Sequence, residues 1–124
     1  MTKFLLETDV LVDYLTSDKN NYMLSLMQQG ICFTTVLNAA EVLTVCKNSD
    51  EKIVVRSVLD SLKVLGLHSR YALSVPEFSI STTSVRDALF AVVSLINKLP
   101  IVTMNSDRYK KTKLKIIHPQ EVGA

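Results

Sequence analysis

Short apolar runs alternate with helical patterns along this chain, and that alternation limits the fold more than any other feature. Lys3–Leu6, Ile31–Thr34, Lys63–His68, Ile101–Met104 and Leu114–Ile117 are short and apolar, in part β-branched or aromatic, so they read as strands. Between them, Val10–Leu15, Asn20–Gln29, Val36–Lys47, Glu51–Leu62, Ser69–Leu73 and Val85–Lys98 carry helical spacing. Strands separated by helices pair mostly in parallel, with helices on both faces of the sheet. The expectation is an α/β fold with a mostly parallel central sheet in a three-layer α/β/α sandwich.

Local signals place the boundaries. A tight turn capped by Thr8 or Asp9 opens the first helix, and Gly30 stands at the C-terminal cap of the second. Ser49 or Asp50 caps the helix from Glu51, Ser84 caps the helix from Val85, and Ser106 or Asp107 caps a basic turn. Pro76 and Pro100 stop the helices before them. Ser79–Ser84 is polar and uncommitted. Val85–Lys98 is apolar almost all round and is expected to be buried on most sides.

With 124 residues, 48% of them hydrophobic and only three glycines and three prolines, the chain reads as one domain, residues 1–124, with a real core. It shows neither a signal peptide nor an apolar run long enough to cross a bilayer, so no membrane partner is expected. Cys32 and Cys46 lack zinc-type spacing and read as small buried hydrophobes of a reduced, cytoplasmic protein. The net charge of +2 permits nucleic acid without arguing for it.

Acidic residues sit where such a sheet would gather them. Glu7 ends the first strand and Asp9 starts the next helix. Glu41 interrupts the apolar helical run Val36–Leu43, and Asp87 precedes an almost unbroken apolar stretch. Asn105 and Asp107 follow the strand at Ile101. Each acid alone is compatible with a solvated face or a helix first turn. If they converge, two carboxylates at about 5 Å repel by about 3 kcal/mol at an effective dielectric near 20. Either some stay protonated or a cation sits among them. An all-oxygen set suits Mg²⁺ or Mn²⁺ rather than zinc, and such a centre can activate water for phosphodiester cleavage.

The motifs resemble a known family. Leu6-Glu7-Thr8-Asp9-Val10-Leu11-Val12-Asp13 looks like the N-terminal signature of PIN-domain nucleases. Thr35-Val36-Leu37-Asn38-Ala39-Ala40-Glu41-Val42-Leu43 resembles the helix with their second acid, and Arg86-Asp87-Ala88-Leu89-Phe90-Ala91 the motif of the third. Ile101-Val102-Thr103-Met104-Asn105-Ser106-Asp107-Arg108-Tyr109 is similar to the strand and aromatic that close their site. The four motifs run in order over nearly the whole chain. Among small stand-alone members, the likeness is to VapC-like toxins of type II toxin–antitoxin modules. It implies a PIN-like sandwich and an Mg²⁺- or Mn²⁺-dependent endoribonuclease. Glu7, Glu41 and Asp87 would hold metal, with Asn105 or Asp107 in a fourth position. Glu7, Glu41, Asp87 and Asp107 would be the catalytic set, supported by Thr8, Asp9 and Thr103. It also implies an antitoxin partner and a homodimer.

The chain departs from the pattern at Glu7, where the family has Asp. One more methylene moves the carboxylate by about 1.5 Å, whereas Mg²⁺ requires near-ideal octahedral geometry at about 2.0–2.1 Å. A changed rotamer, weaker binding or an inactive site are the open alternatives, so a catalytically impaired PIN module that binds RNA or a protein is the competing reading. A receiver-like phosphorylation switch ranks below both, because the region around Asp60 is helical where a phosphoacceptor strand end is needed.

The basic residues Arg108, Lys110, Lys111, Lys113 and Lys115 read as a solvated edge or as an RNA-steering patch, in which Arg108, Lys110 and Lys111 contact RNA. Arg86 reads as a phosphate contact or as the partner of a surface carboxylate. His68 and His118 read as surface or strand-end residues. Tyr14, Tyr22, Met23, Leu24, Leu26 and Met27 read as core or as an exposed groove for a partner helix or a second copy.

Overall fold

The computed structural model describes residues 2–17 and 22–122. The order is β1 (Lys3–Leu6), α1 (Thr8–Thr16), α2 (Tyr22–Gln29), β2 (Ile31–Thr35), α3 (Val36–Val45), α4 (Ser49–Asp60), β3 (Lys63–Leu65), α5 (Tyr71–Ser74), α6 (Val85–Asn97), β4 (Ile101–Val102), β5 (Ile116–Ile117) and α7 (Pro119–Val122). Single turns of 3₁₀ helix occupy Val75–Phe78, Ser106–Arg108 and Lys110–Thr112. The expected start of the second helix, at Asn20, lies outside the described residues.

The strands form a five-stranded sheet in the order β3-β2-β1-β4-β5, and every pairing is parallel. β1 is the central strand: Phe4 lies opposite Cys32 of β2, and Leu6 opposite Val102 of β4. Its side chains alternate between two cores, as the twofold strand period requires. Phe4 and Leu6 join Val10, Met23, Leu26 and Val42 beneath α1–α4, whereas Leu5 packs with Phe90, Val93, Ile101 and Tyr109 on the α6 side. Both faces of the sheet are therefore covered, as expected from the alternation.

From β1 the chain proceeds to β2 and β3 on one side, then crosses to β4 and β5 on the other. The connections leaving β1 and β4 thus diverge. A crevice opens outside their carboxyl ends, at the point where open α/β sheets accept ligands. Glu7, Thr8 and Asp9 follow β1, and Thr103 follows β4.

Several boundaries differ from the sequence expectation. Glu7 itself is the N-cap of α1, accepting from the Thr8 amide. Thr8 and Asp9 point elsewhere. Asn48, not Ser49 or Asp50, caps α4, and Asn105, not Ser106 or Asp107, caps the basic turn. Short amides in extended backbone reach the amide two or three residues on, and the sequence offers several such residues in a row. α6 stops at Lys98, which takes the left-handed conformation (φ 54°), before Pro100 is reached. Pro76 does not end the helix before it but lies inside the 3₁₀ turn that continues α5. α6 is also less enclosed than its composition implies: Leu95 and Ile96 are almost half exposed.

Gly30 is required by a close approach. A Cβ there would lie 2.4 Å from the carbonyl oxygen of Thr2, which accepts the Ile31 amide at the start of the β1–β2 ladder. Gly30→Ala is expected to destabilise the protein by about 1–3 kcal/mol through forced backbone displacement. Gly66→Ala, with nothing within 4 Å of the added methyl, should stay within about 0.5 kcal/mol. Urea denaturation of both variants checks the contrast.

Candidate functional site

Glu7, Glu41 and Asp87 are brought together at the carboxyl edge of β1. Glu7 is completely buried, Asp87 nearly so, and the Glu41 side chain retains 36% exposure at the rim. Each reaches the pocket by a different local device.

Glu7 continues β1 on its α6-facing side. Its Oε1 accepts from the Thr8 amide (2.8 Å), Asn38 Nδ2 (2.9 Å) and Arg86 Nη2 (2.5 Å). Its Oε2 accepts from Arg86 Nη1 (2.6 Å) and from the Tyr109 hydroxyl. Asn38 serves by virtue of a capping box. Thr35 Oγ1 accepts the Asn38 amide, and Asn38 Oδ1 accepts both the Thr35 amide and its hydroxyl, so Nδ2 is left to donate to Glu7 and Thr8. Glu41, three residues on, lies on the same face of α3 and accepts from the Thr8 hydroxyl at 2.6 Å. Asp87 is held at the first turn of α6, where the macrodipole favours a carboxylate and Ser84 Oγ accepts its amide.

Positive charge is supplied from within. Arg86 Nε and Nη2 donate to the two oxygens of Glu41 (3.1 and 2.5 Å), while Nη1 also reaches Asp87 Oδ1 (3.2 Å). Arg108 donates to Asp87 through Nη2 (2.5 Å) and Nε (3.3 Å), and its Nη1 lies 3.7 Å from Glu7 Oε2. The guanidinium groups of Arg86 and Arg108 also stand 5.6 Å from the ring centres of Phe90 and Tyr109, respectively. Arg86 therefore pairs with the site's own acids rather than with a surface carboxylate, and Arg108 does the same.

The other expected site residues are placed differently. Asp9 turns to the end of β4, accepting from the Thr103 hydroxyl (2.6 Å) and the Met104 amide (3.1 Å). Asn105 is exposed and accepts the Asp107 amide, and Asp107 faces solvent with Lys110 Nζ at 3.6 Å. Neither contacts the three converging acids. Lys110 and Lys111, in the turn that follows Arg108, are exposed. His68 and His118 each accept a nearby backbone amide through Nδ1. Cys32 is buried, which pushes its thiol up to about 11, and Cys46 is half-buried. Tyr14, Leu24 and Met27 are exposed while Met23 and Leu26 are core, so the first helices divide between the two readings of their apolar residues.

Titration follows the geometry. Hydrogen bonds from Arg86 hold the Glu41 carboxyl below its ordinary value, with help from Thr8 and against partial burial. Burial pushes Asp87 up, but Arg108 and Arg86 together outweigh it and leave the carboxyl below its usual range. Burial raises Asp9 despite its two donors. The Tyr109 hydroxyl is pushed up by burial and by the adjacent Glu7, so it donates as a neutral phenol.

The donor set has the chemistry of an Mg²⁺ or Mn²⁺ site, but its arrangement does not fit one. Every carboxylate oxygen of Glu7, Glu41 and Asp87 already accepts a hydrogen bond, and a guanidinium lies between the acids. Among the described residues no group of three or more histidines, cysteines and acids is disposed to hold a metal ion. Above these residues the cleft is open, about 650 Å³, with Val12, Ala40, Thr44 and Val45 on its walls.

Asn38 carries no role in the sequence pattern, and Tyr109 enters it only as the aromatic that closes the site, not as a donor to Glu7. Thr35 three residues before Asn38 is a capping-box spacing, and a buried tyrosine hydroxyl needs a partner. These were the available signals.

The sequence model of the PIN domain family matches residues 4–114. No curated protein matches the chain. Among solved structures it is similar to a toxin–antitoxin complex from Klebsiella pneumoniae (TM-score 0.79, 14% identity, 94% of this chain and 97% of that one). It is also similar to VapBC-1 from nontypeable Haemophilus influenzae (TM-score 0.78, 14% identity, 96% and 99%). A third likeness is to DNA-bound VapBC from Salmonella typhimurium (TM-score 0.75, 15% identity, 96% and 99%). At these identities the likeness is one of fold.

Asn38→Ala removes one of the donors to a fully buried carboxylate and should cost about 1–3 kcal/mol in urea denaturation. Glu41 and Asp87 have depressed values in the folded state. Their stabilisation is therefore present above their ordinary values of 4.5 and 3.8 and is lost as pH falls through the folded ones. Asp9, raised by burial, contributes with the opposite sign. The urea midpoint should fall on acidification below about pH 4, and the fall should be shallower in Asp87→Asn.

Proposed function

The chain belongs to the PIN domain family, and from that premise we propose that it is the PIN subunit of a toxin–antitoxin pair. In this reading residues 1–124 act as one RNA-directed unit held by a protein partner, and the acidic pocket, as folded, is impaired for cleavage. Nucleases of the PIN type generally use divalent metal ions. The observation that carries the proposal is Arg86, whose guanidinium bonds to Glu7, Glu41 and Asp87 together. The positive charge is thereby met by the chain itself, and every carboxylate oxygen of the three acids already accepts at least one hydrogen bond from the protein.

Two features support partners. Tyr14, Met23, Leu24 and Met27 line a largely apolar cleft of about 210 Å³ with Ser57 and Val58 of α4 and Ser61 at its C-terminal cap. Its apolar lining suits a helix or strand of an antitoxin, the kind of partner present in the complexes that share the fold. Lys110 and Lys111 are exposed, two and three residues after Arg108, and are available to RNA phosphates, while Arg86 and Arg108 are committed inside. Self-association into a homodimer belongs to the same reading.

A second reading, a metal-dependent endoribonuclease, is favoured by the convergence of Glu7, Glu41 and Asp87 in family order, with Arg86 entering from the rim at 20% exposure. Its cofactor would be Mg²⁺ or Mn²⁺. Incubation of the protein with fluorescent oligoribonucleotides separates the two. The expected outcome is anisotropy-detected binding, weakened by Lys110→Ala and Lys111→Ala, with no cleavage in either ion. Cleavage that needs a divalent cation, stops in EDTA and disappears in Asp87→Asn would replace the first reading with the second.

A further inference from the structure

We infer that Arg86 is the resident cation of the acidic pocket, so that this chain folds around a guanidinium where its fold would otherwise gather acids about a dication. The inference rests on the reading of the pocket as the PIN acidic site, and it concerns metal binding rather than RNA or partner recognition.

The contacts of Arg86 are those of a saturated ligand. Nη1 and Nη2 form a two-pronged fork on Glu7 (2.6 and 2.5 Å). Nε and Nη2 form a second fork on Glu41 (3.1 and 2.5 Å). The remaining directions are filled by Asp87 Oδ1, the Tyr109 oxygen and Thr8 Oγ1. Planar forks of this kind are the strongest guanidinium–carboxylate arrangement and fix position as well as charge. Phe90, one turn further along α6, places its ring centre 5.6 Å from the guanidinium carbon, within cation–π range.

Charge balance leads to the same conclusion. Glu7, Glu41 and Asp87 bring three negative charges, and Arg86 and Arg108 return two. A dication drawn to the same oxygens would meet Arg86 at contact distance, and like charges repel strongly in a partly buried site. Removal of the Arg86 charge alone leaves a deficit of two, which a hard dication with oxygen ligands matches. Wild-type protein should therefore be indifferent to Mn²⁺, and loss of Arg86 should create a dependence on it.

Thermal unfolding with and without Mn²⁺ tests this in wild type, Arg86→Met and Arg86→Met/Asp87→Asn. In wild type the midpoint should not move. In Arg86→Met it should fall without metal and recover by about 5 °C or more when Mn²⁺ is present far above its dissociation constant. The recovery should vanish in the double variant. A wild-type midpoint that rises with Mn²⁺ as much as that of Arg86→Met would overturn the inference, as would an Arg86→Met protein as stable as wild type in EDTA. Should Arg86→Met not fold in either condition, electron paramagnetic resonance of Mn²⁺ titrated with wild-type protein decides. A free-ion spectrum throughout supports the inference, and a bound fraction lost in Asp87→Asn refutes it. The RNA-binding assay above is read separately, so failure of the PIN-subunit proposal and failure of this one remain distinguishable.

Discussion

The fully buried carboxylate of Glu7 is the constraint around which the rest of the pocket is organised. An ionised carboxylate without partners in such a place would be far too costly to keep. Here it accepts from a backbone amide, an amide side chain, both terminal nitrogens of a guanidinium and a phenol. Those donors come from α1, α3, α6 and the segment after β4, so satisfying one side chain ties together elements that are remote in sequence. Losing a partner from a buried ion pair is far more damaging than never having had the pair. For that reason Asn38, Arg86 and Tyr109 act as parts of one unit rather than as separate contacts.

The unit sits where it does because of the sheet order. β1 lies between β2 and β4, and the chain leaves these strands in diverging directions, which opens the crevice at their carboxyl ends. Asp9 then ties the start of α1 to the end of β4 through Thr103 and Met104. This link commits both Asp9 oxygens to donors at the end of β4 rather than to the guanidinium groups that the other acids share. The same geometry sends Asn105 and Asp107 outward: a 3₁₀ turn starts at Ser106, and its cap uses the Asn105 side chain.

Much of this was legible in the sequence. Alternating β-branched runs and helical spacing gave the parallel sheet, because burial on both faces leaves its mark on composition. The positions of Glu7, Glu41 and Asp87, each at odds with an apolar surrounding, pointed to a common pocket. What stayed illegible depends on side-chain reach. Arg86 has a flexible stem long enough for either water or the pocket, and nothing in its neighbours along the chain distinguishes the two. Tyr109 stands within a basic run whose other members face solvent, so only the tertiary fold shows that its ring packs on Phe90. Caps were misplaced by one or two residues wherever several capping types stood in a row, as at Asn48-Ser49-Asp50.

The lengthened first acid and the arginine belong to one physical solution. A glutamate extends its carboxylate about one bond further from the backbone than an aspartate would. In this chain that carboxylate meets the two terminal nitrogens of Arg86 and the Tyr109 hydroxyl. A guanidinium spreads its charge over a plane with five directed donors, so it can satisfy a wide and uneven set of oxygens. A small dication instead demands near-octahedral convergence at short distance. The set formed by Glu7, Glu41 and Asp87 has the former character: two forks at different edges of one plane, and a third acid shared with Arg108. A pocket of that shape holds its cation by geometry as well as by charge.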